Sequence, residues 1–235
     1  AAEKKSAESK KISVNKSTVF ANIELPENYK DISIYGDSVA TKGQAVAVIK
    51  QYNPDVQLAC SVEELVDLYW QEAEREGVRP DLALAQALVE TGFFRYGGDV
   101  HHNQNNFCGL GTTGNGVKGA SFKTPEIGVR AHIQHLLAYT QKKRPSTKIV
   151  DPRYELAHNI RLERGVVDTW YGLNGTWAMG SNYCEKIMVN YQRMLAMQAE
   201  DTVKEEKQEA KKTADKKNNP HRMRDLVEKI LHGDE

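Results

Sequence analysis

Four sets of side chains in this chain have the types and spacing to do chemistry. The first centres on Glu90, the one acidic residue in the apolar run ALAQALVE, which stands where that run ends. A carboxyl group at the end of an apolar helix, facing a polar and aromatic loop, sits where burial raises its pKa and makes it a proton donor. The plain alternative is a solvated helix-end glutamate. Cleavage of a glycosidic bond needs such a protonated carboxyl at the leaving oxygen and a means of stabilising an oxocarbenium-like transition state. It also needs a groove of flat rings and amides. Glu90, Phe93, Phe94, Tyr96, Asn105, Asn106, Phe107, Trp177 and Tyr183 supply those residue types. Each alone is as readily core or turn, so it is their density that carries the suggestion.

The other three sets are weaker. His132 and His135 are three apart and share a helix face, with His101 and His102 upstream. The carboxylate and third ligand of known zinc motifs are missing, so these read as groove or surface histidines and no metal is expected. Cys108 has no thiol-enzyme signature around it and reads as a small buried residue. The glycines of GLG and GNG lie in a turn without the strand-loop-helix unit that a phosphate cradle requires. No cofactor is implied.

The elements that must position Glu90 follow from caps and periodicity. Thr41 opens a helix through Gln44 to Tyr52, stopped by Asn53-Pro54. Ser61-Val62-Glu63-Glu64 is a capping-box pattern opening a helix that Gly77 closes. Pro80-Asp81 starts the next, so apolar that it should be central. Asn115-Gly116 is a two-residue hairpin signal that should pair Phe107 to Leu110 with Val117 to Phe122. Thr124-Pro125-Glu126 restarts helix toward Tyr139. The piece after Asp151-Pro152 is irregular or helical, Trp170 to Tyr183 is aromatic and glycine-rich, and Glu185 to Met197 is a last core helix. Ahead of these, alternating apolar residues between Lys11 and Gly36 suggest short extended segments that pack on the domain or pair with another chain.

Composition sets outer bounds. The 235 residues hold one domain of ordinary size plus extensions, and a hydrophobic content of 40% supports a real core. Lys+Arg and Asp+Glu both number 32, so nothing points to nucleic acid. No apolar run is long enough for a transmembrane segment. Three widely spaced cysteines, Cys60, Cys108 and Cys184, allow one disulfide or three free thiols. Beyond Ala199 a charged stretch leads to Asn219-Pro220 and a stripe of Met223, Leu226, Val227, Ile230 and Leu231. Such a helix on a charged tether docks on its own domain or binds a protein partner. The expected division is an N-terminal extension over 1–34, a catalytic domain over 35–199 and a linker with a C-terminal helix over 200–235.

Several separated motifs then occur in a specific order: ALAQALVETGFFRYGG, QNNFCGLGTTGNGVKGASF, TPEIGVRAHIQHLLAY, DPRYE and TWAMGSNYCEKI, with SVATKGQ, NPDV and EAEREGVRPD ahead of them. Over roughly Tyr35 to Ala199 the chain resembles bacterial endo-β-N-acetylglucosaminidases of glycoside hydrolase family 73.

The resemblance implies a mainly α (α+β) fold, a lysozyme-like helical domain with a small β-hairpin lobe, the two flanking a groove for a peptidoglycan glycan strand. It makes Glu90 the acid that protonates the oxygen between N-acetylglucosamine and N-acetylmuramic acid. Tyr183 falls on the tyrosine that faces the cleaved sugar near the acid. Asn105, Asn106 and Phe107 fall on the segment that shapes groove and hairpin. The second catalytic group stays open: Glu126 is the nearest downstream acid, although the macrodipole explains a glutamate in a first helical turn. Asp99 is another option, and the substrate's own acetamido group a third. The implied site of action is secreted or wall-associated, with a signal peptide absent or already removed. A lysozyme-fold muramidase or lytic transglycosylase is the rival reading, and a non-catalytic wall-binding or assembly module the rival of another class.

Overall fold

The most apolar stretch of the sequence becomes the central helix. The structure, a computed structural model, describes residues 23–112, 116, 118–140 and 144–198. Within them α3 (Pro80–Glu90) is enclosed from Pro80 to Leu88, leaving no face for solvent. Its N-terminus is anchored by Asp81, whose Oδ2 accepts from the backbone N–H groups of Val39 and Ala40 at 2.8 and 3.2 Å. The same oxygen pairs with Arg79 Nη2 at 2.9 Å, and Arg79 donates on to the Tyr191 hydroxyl at 3.1 Å. A buried carboxylate is tolerable when its lone pairs are taken up in this way.

Five further helices surround α3: α1 (Lys42–Tyr52), α2 (Val62–Glu76), α4 (Pro125–Thr140), α5 (Tyr154–Arg164) and α6 (Tyr183–Leu195). α3 packs on α2 and α6, α4 bridges α2 and α5, and α1 leans on α2 and α6. The caps act largely as read from sequence, with one exchange. Ser61 accepts from the Glu64 N–H at 3.1 Å, but the reciprocal box forms at Thr41 and Gln44. Gly77 closes α2 at φ 73°, a left-handed position that suits glycine. α6 begins at Tyr183, two residues ahead of the expected start. Asn174 makes that start possible, since its Oδ1 accepts the Cys184 N–H at 2.7 Å and serves as a cap from outside the helix.

The expected hairpin takes a different form. Among the described residues there is no strand ladder between 107–110 and 118–122; three isolated bridges elsewhere are the only β pairing. Two backbone bonds tie this loop together, Ala120 N–H to Leu110 O at 2.7 Å and Phe122 N–H to Gln104 O at 2.8 Å. Side-chain amides supply the rest: Asn106 Nδ2 donates to Leu110 O and Ala120 O, and Asn105 Nδ2 to Phe122 O. The reason is local. Asn105, Gly109 and Gly111 all have positive φ, which bends the chain too often for a continuous ladder.

The segment ahead of Tyr35 packs on the domain. Ile34 is fully buried, its N–H donates to Asp168 O at 3.0 Å, and Trp170 N–H donates to Ile32 O at 3.0 Å. The packed body therefore takes in residues from Leu25 onward. All three cysteines are free thiols. No helix among the described residues is long and apolar enough to cross a membrane. Residues 1–22, the Asn115 tip of the expected hairpin, and the charged linker and C-terminal amphipathic stripe lie outside the described residues.

Candidate active site

Glu90 is the last residue of α3, and its side chain opens onto a cavity of about 310 Å³. The cavity wall includes Cys108, Thr112, His135, Tyr139, Arg153 and Trp177. Among the described residues on that wall, Glu90 is the only carboxylate. Its two oxygens are not equivalent. Oε1 accepts from Trp177 Nε1 at 3.0 Å and from the Tyr183 hydroxyl. Oε2 takes no hydrogen bond from the described residues and lies beside Gly109, where a Cβ would stand in ordinary contact with it at 3.7 Å. The proton of the neutral acid therefore belongs on Oε2, the oxygen free to deliver it.

Burial pushes the Glu90 carboxyl pKa up, because the charged form is poorly solvated. The hydrogen bonds from Tyr183 and Trp177 and the nearby His135 oppose this, but burial prevails. Tyr183 is itself held well above its ordinary pKa by burial and by Glu90, so it remains a donor. Burial and Glu90 also push the Cys108 thiol far up. That keeps it protonated and unreactive as a nucleophile.

Trp177 is held by an aromatic enclosure on α4. Its ring lies 4.9 Å from His135, 5.1 Å from Tyr139 and 6.0 Å from His132, centroid to centroid. These three residues fall at i, i+3 and i+7, one helix face. His135 is fixed in turn by Asp151, whose Oδ2 lies 2.7 Å from Nδ1. Both nitrogens of the buried His132 are engaged, Nδ1 with the Tyr69 hydroxyl and Nε2 with Gln86 Oε1, each at 3.0 Å. Of the four histidines considered for zinc, His132 and His135 are thus hydrogen-bonded to protein partners.

Of the residues expected at the site, the structure brings Glu90, Tyr183 and Trp177 together. Phe93, Phe94, Asn105, Asn106 and Phe107, expected to touch substrate, are buried and do not line this cavity. Phe93 stacks on Tyr52 at 4.7 Å, and Phe94 meets Phe107 edge-on at 6.0 Å. The amides of Asn105 and Asn106 are consumed by the loop backbone. These side chains build the support of the site. Gly92, Phe93 and Phe94 run at φ 57°, 59° and 58°, a left-handed turn directly after Glu90. For the two phenylalanines such backbone costs on the order of 1–3 kcal/mol each and persists only where packing enforces it.

Glu126 stands apart. Its side chain is 48% exposed and pairs with Arg130 Nη2 at 2.5 Å. It precedes His135 by nine residues of α4, about 13 Å along the axis, and it does not line the cavity. Asp99 does not line it either. Sequence reasoning missed Gln86, which donates from Nε2 to the Tyr183 hydroxyl at 2.9 Å. The available signal was its spacing, four residues before Glu90 and hence on the same helix face.

A helical domain with a carboxyl whose pKa burial raises, set over a cleft walled by rings, fits a glycoside hydrolase arrangement. The model of the glucosaminidase family, described as mannosyl-glycoprotein endo-beta-N-acetylglucosaminidase, matches residues 66–196. That is more than half of the chain, and the chain belongs to this family, glycoside hydrolase family 73. An uncharacterized protein of Borreliella burgdorferi is 40% identical over 126 residues, 54% of this chain and 59% of that protein. The chain thus spans less than two thirds of the curated relative it matches. No solved structure matches.

Proposed function

We propose that this protein hydrolyses peptidoglycan glycan strands at the β-1,4 bond that follows N-acetylglucosamine, with Glu90 as general acid. The observation that carries the reading is the asymmetry of the Glu90 carboxyl: Oε1 doubly occupied, Oε2 without a hydrogen bond from the described residues, and the pKa of the acid raised by burial. Family membership supports a bond on the reducing side of N-acetylglucosamine. Arg153, Thr112 and Tyr139 on the wall offer donors to sugar hydroxyl and acetamido groups. The substrate would place the site of action outside the cell membrane.

With Glu90 the one carboxylate among the described residues of the wall, we assign the nucleophile to the substrate. The acetamido oxygen of the N-acetylglucosamine forms a bond to C1 as the glycosidic C1–O bond breaks, and the proton on Glu90 Oε2 passes to the leaving oxygen. Water then opens the cyclic intermediate at C1 and returns a proton to Glu90. The ring of Trp177 offers a flat surface beside the reacting sugar.

The test is mass spectrometry of reduced muropeptides after digestion of purified walls. Products with N-acetylglucosamine at the reducing end support the reading. An anhydromuramic end or a reducing N-acetylmuramic acid would assign the protein to the rival cuts. Binding to insoluble walls without any cleavage would make it a non-catalytic wall module.

A further inference from the structure

We propose that a buried hydrogen-bond chain, Tyr69–His132–Gln86–Tyr183, sets the Tyr183 hydroxyl as a donor to Glu90 Oε1 and so keeps the acid's proton on Oε2. Gln86, His132 and Tyr69 are then positioning residues for the reaction, an assignment that rests on the reading of Glu90 as the acid. The links measure 3.0 Å from Tyr69 to His132 Nδ1, 3.0 Å from His132 Nε2 to Gln86 Oε1, and 2.9 Å from Gln86 Nε2 to Tyr183. Tyr69, Gln86 and His132 are fully buried, so no water replaces a missing partner.

The direction of the chain follows from donor and acceptor chemistry. Gln86 Nε2 only donates, so the Tyr183 oxygen accepts and its own hydrogen goes to Glu90 Oε1. Gln86 Oε1 only accepts, so His132 carries its hydrogen on Nε2. Burial lowers the His132 pKa to about 3, so the ring is neutral and Nδ1 is bare. Tyr69, whose ionisation burial suppresses, then donates to Nδ1. Every hydrogen in the chain points toward Glu90.

Reversing the Gln86 amide reverses every link, and the cost appears at the far end. His132 Nδ1 would then donate to Tyr69, leaving the buried Tyr69 hydroxyl hydrogen with no acceptor among the described residues. The reversed chain would also turn the Tyr183 hydrogen away from Glu90 and draw the acid's proton onto Oε1, away from the cavity. The chain thus sets the proton's position from a residue deep between α2 and α4. Successive bonds of one direction also polarise one another and strengthen the last. The other titratable groups packed near Glu90 are His135 from α4 and Cys108 from the following loop, with Arg153 across the cavity. Neither His135, Cys108 nor Arg153 is hydrogen-bonded to it.

The experiment compares wild type, Gln86→Met and Tyr69→Phe in the full chain. The Glu90 carboxyl is titrated by ¹³C NMR, with Glu90→Gln assigning its resonance, and pH profiles of kcat and KM are recorded on purified walls. Loss of the polarised donor favours the neutral acid, so Gln86→Met raises the Glu90 pKa by about half to one unit. The basic limb of the kcat profile moves by the same amount, kcat falls about threefold to tenfold, and KM is unchanged. Tyr69→Phe keeps the ring and never meets substrate, and it shifts both in the same direction by less. A Glu90 titration and pH profile unmoved in both variants would overturn the chain's role, whatever happens to the melting temperature. If wild type leaves walls intact, the functional reading fails, while the NMR titration still decides the chain.

Discussion

Glu90→Gln separates catalysis from stability at one atom. Glutamine keeps Oε1 as acceptor for Tyr183 and Trp177 and replaces only Oε2, the oxygen turned to the cavity. The variant has no proton to give, so cleavage should fall by about 10²–10⁴-fold, equal to about 3–5 kcal/mol of transition-state stabilisation. Stability moves the other way. Burial raises the folded pKa of Glu90 above its unfolded value, so ionising the group opposes folding. The neutral acid's contribution is complete below the unfolded pKa of about 4.3 and is lost as pH rises through the folded value. Each unit of difference is worth about 1.4 kcal/mol at high pH, and 1 kcal/mol moves the melting temperature of a domain this size by about 2–4 °C. Thermal unfolding at pH 4 and pH 8, run beside wall-suspension turbidity, measures both. Glu90→Gln should match wild type at pH 4, exceed it at pH 8, and leave the walls uncleared. A variant that clears walls at the wild-type rate refutes Glu90 as the acid. A variant less stable than wild type at pH 8 refutes burial as the dominant influence on its charge.

Three further outcomes follow from the same geometry. Tyr183→Phe removes a donor from Glu90 and strands Gln86 Nε2 in the core, so it should cost about 1–3 kcal/mol of stability and move the basic limb of the pH–rate profile upward. Glu126→Gln should leave kcat within about twofold and stability within about 1 kcal/mol, since an exposed pair contributes little and Arg130 keeps its bidentate bond to Glu72; a large loss of kcat in steady-state assays would return Glu126 to the mechanism. Gly128→Ala would place a Cβ 1.8 Å from the Asn105 carbonyl oxygen, so a loss of at least about 1–3 kcal/mol by denaturant unfolding is expected, with an unchanged midpoint showing that the 105–107 segment can leave α4.

Local signals in the sequence carried the helices well, because their cause is local. Thr41, Ser61, Pro80 and Pro125 mark helix starts through backbone groups within a turn of themselves, and Gly77 and Asn53-Pro54 end helices for equally local reasons. Glu90 was legible as a candidate because an acid closing an apolar run is a local contrast. The start of α6 was misplaced by two residues because its cap, Asn174, arrives from outside the helix. The described flanks of the expected hairpin form no ladder for a related reason: Asn115-Gly116 speaks for a turn, while amides of Gln104, Asn105 and Asn106 decide what those flanks bond to.

By itself, then, the sequence determined a mainly helical domain and its family, and it singled out Glu90 as the candidate proton donor. Tertiary structure decided which neighbours that carboxyl has. Aromatic and amide residues within 17 positions of Glu90, Phe93 to Phe107, went into the core and the loop, while Trp177 and Tyr183, 87 and 93 positions away, bond to it. The physical reason is that proton donation depends on desolvation and on which oxygen is occupied. Both are properties of the space between α3, α4 and α6, and no residue specifies that space alone.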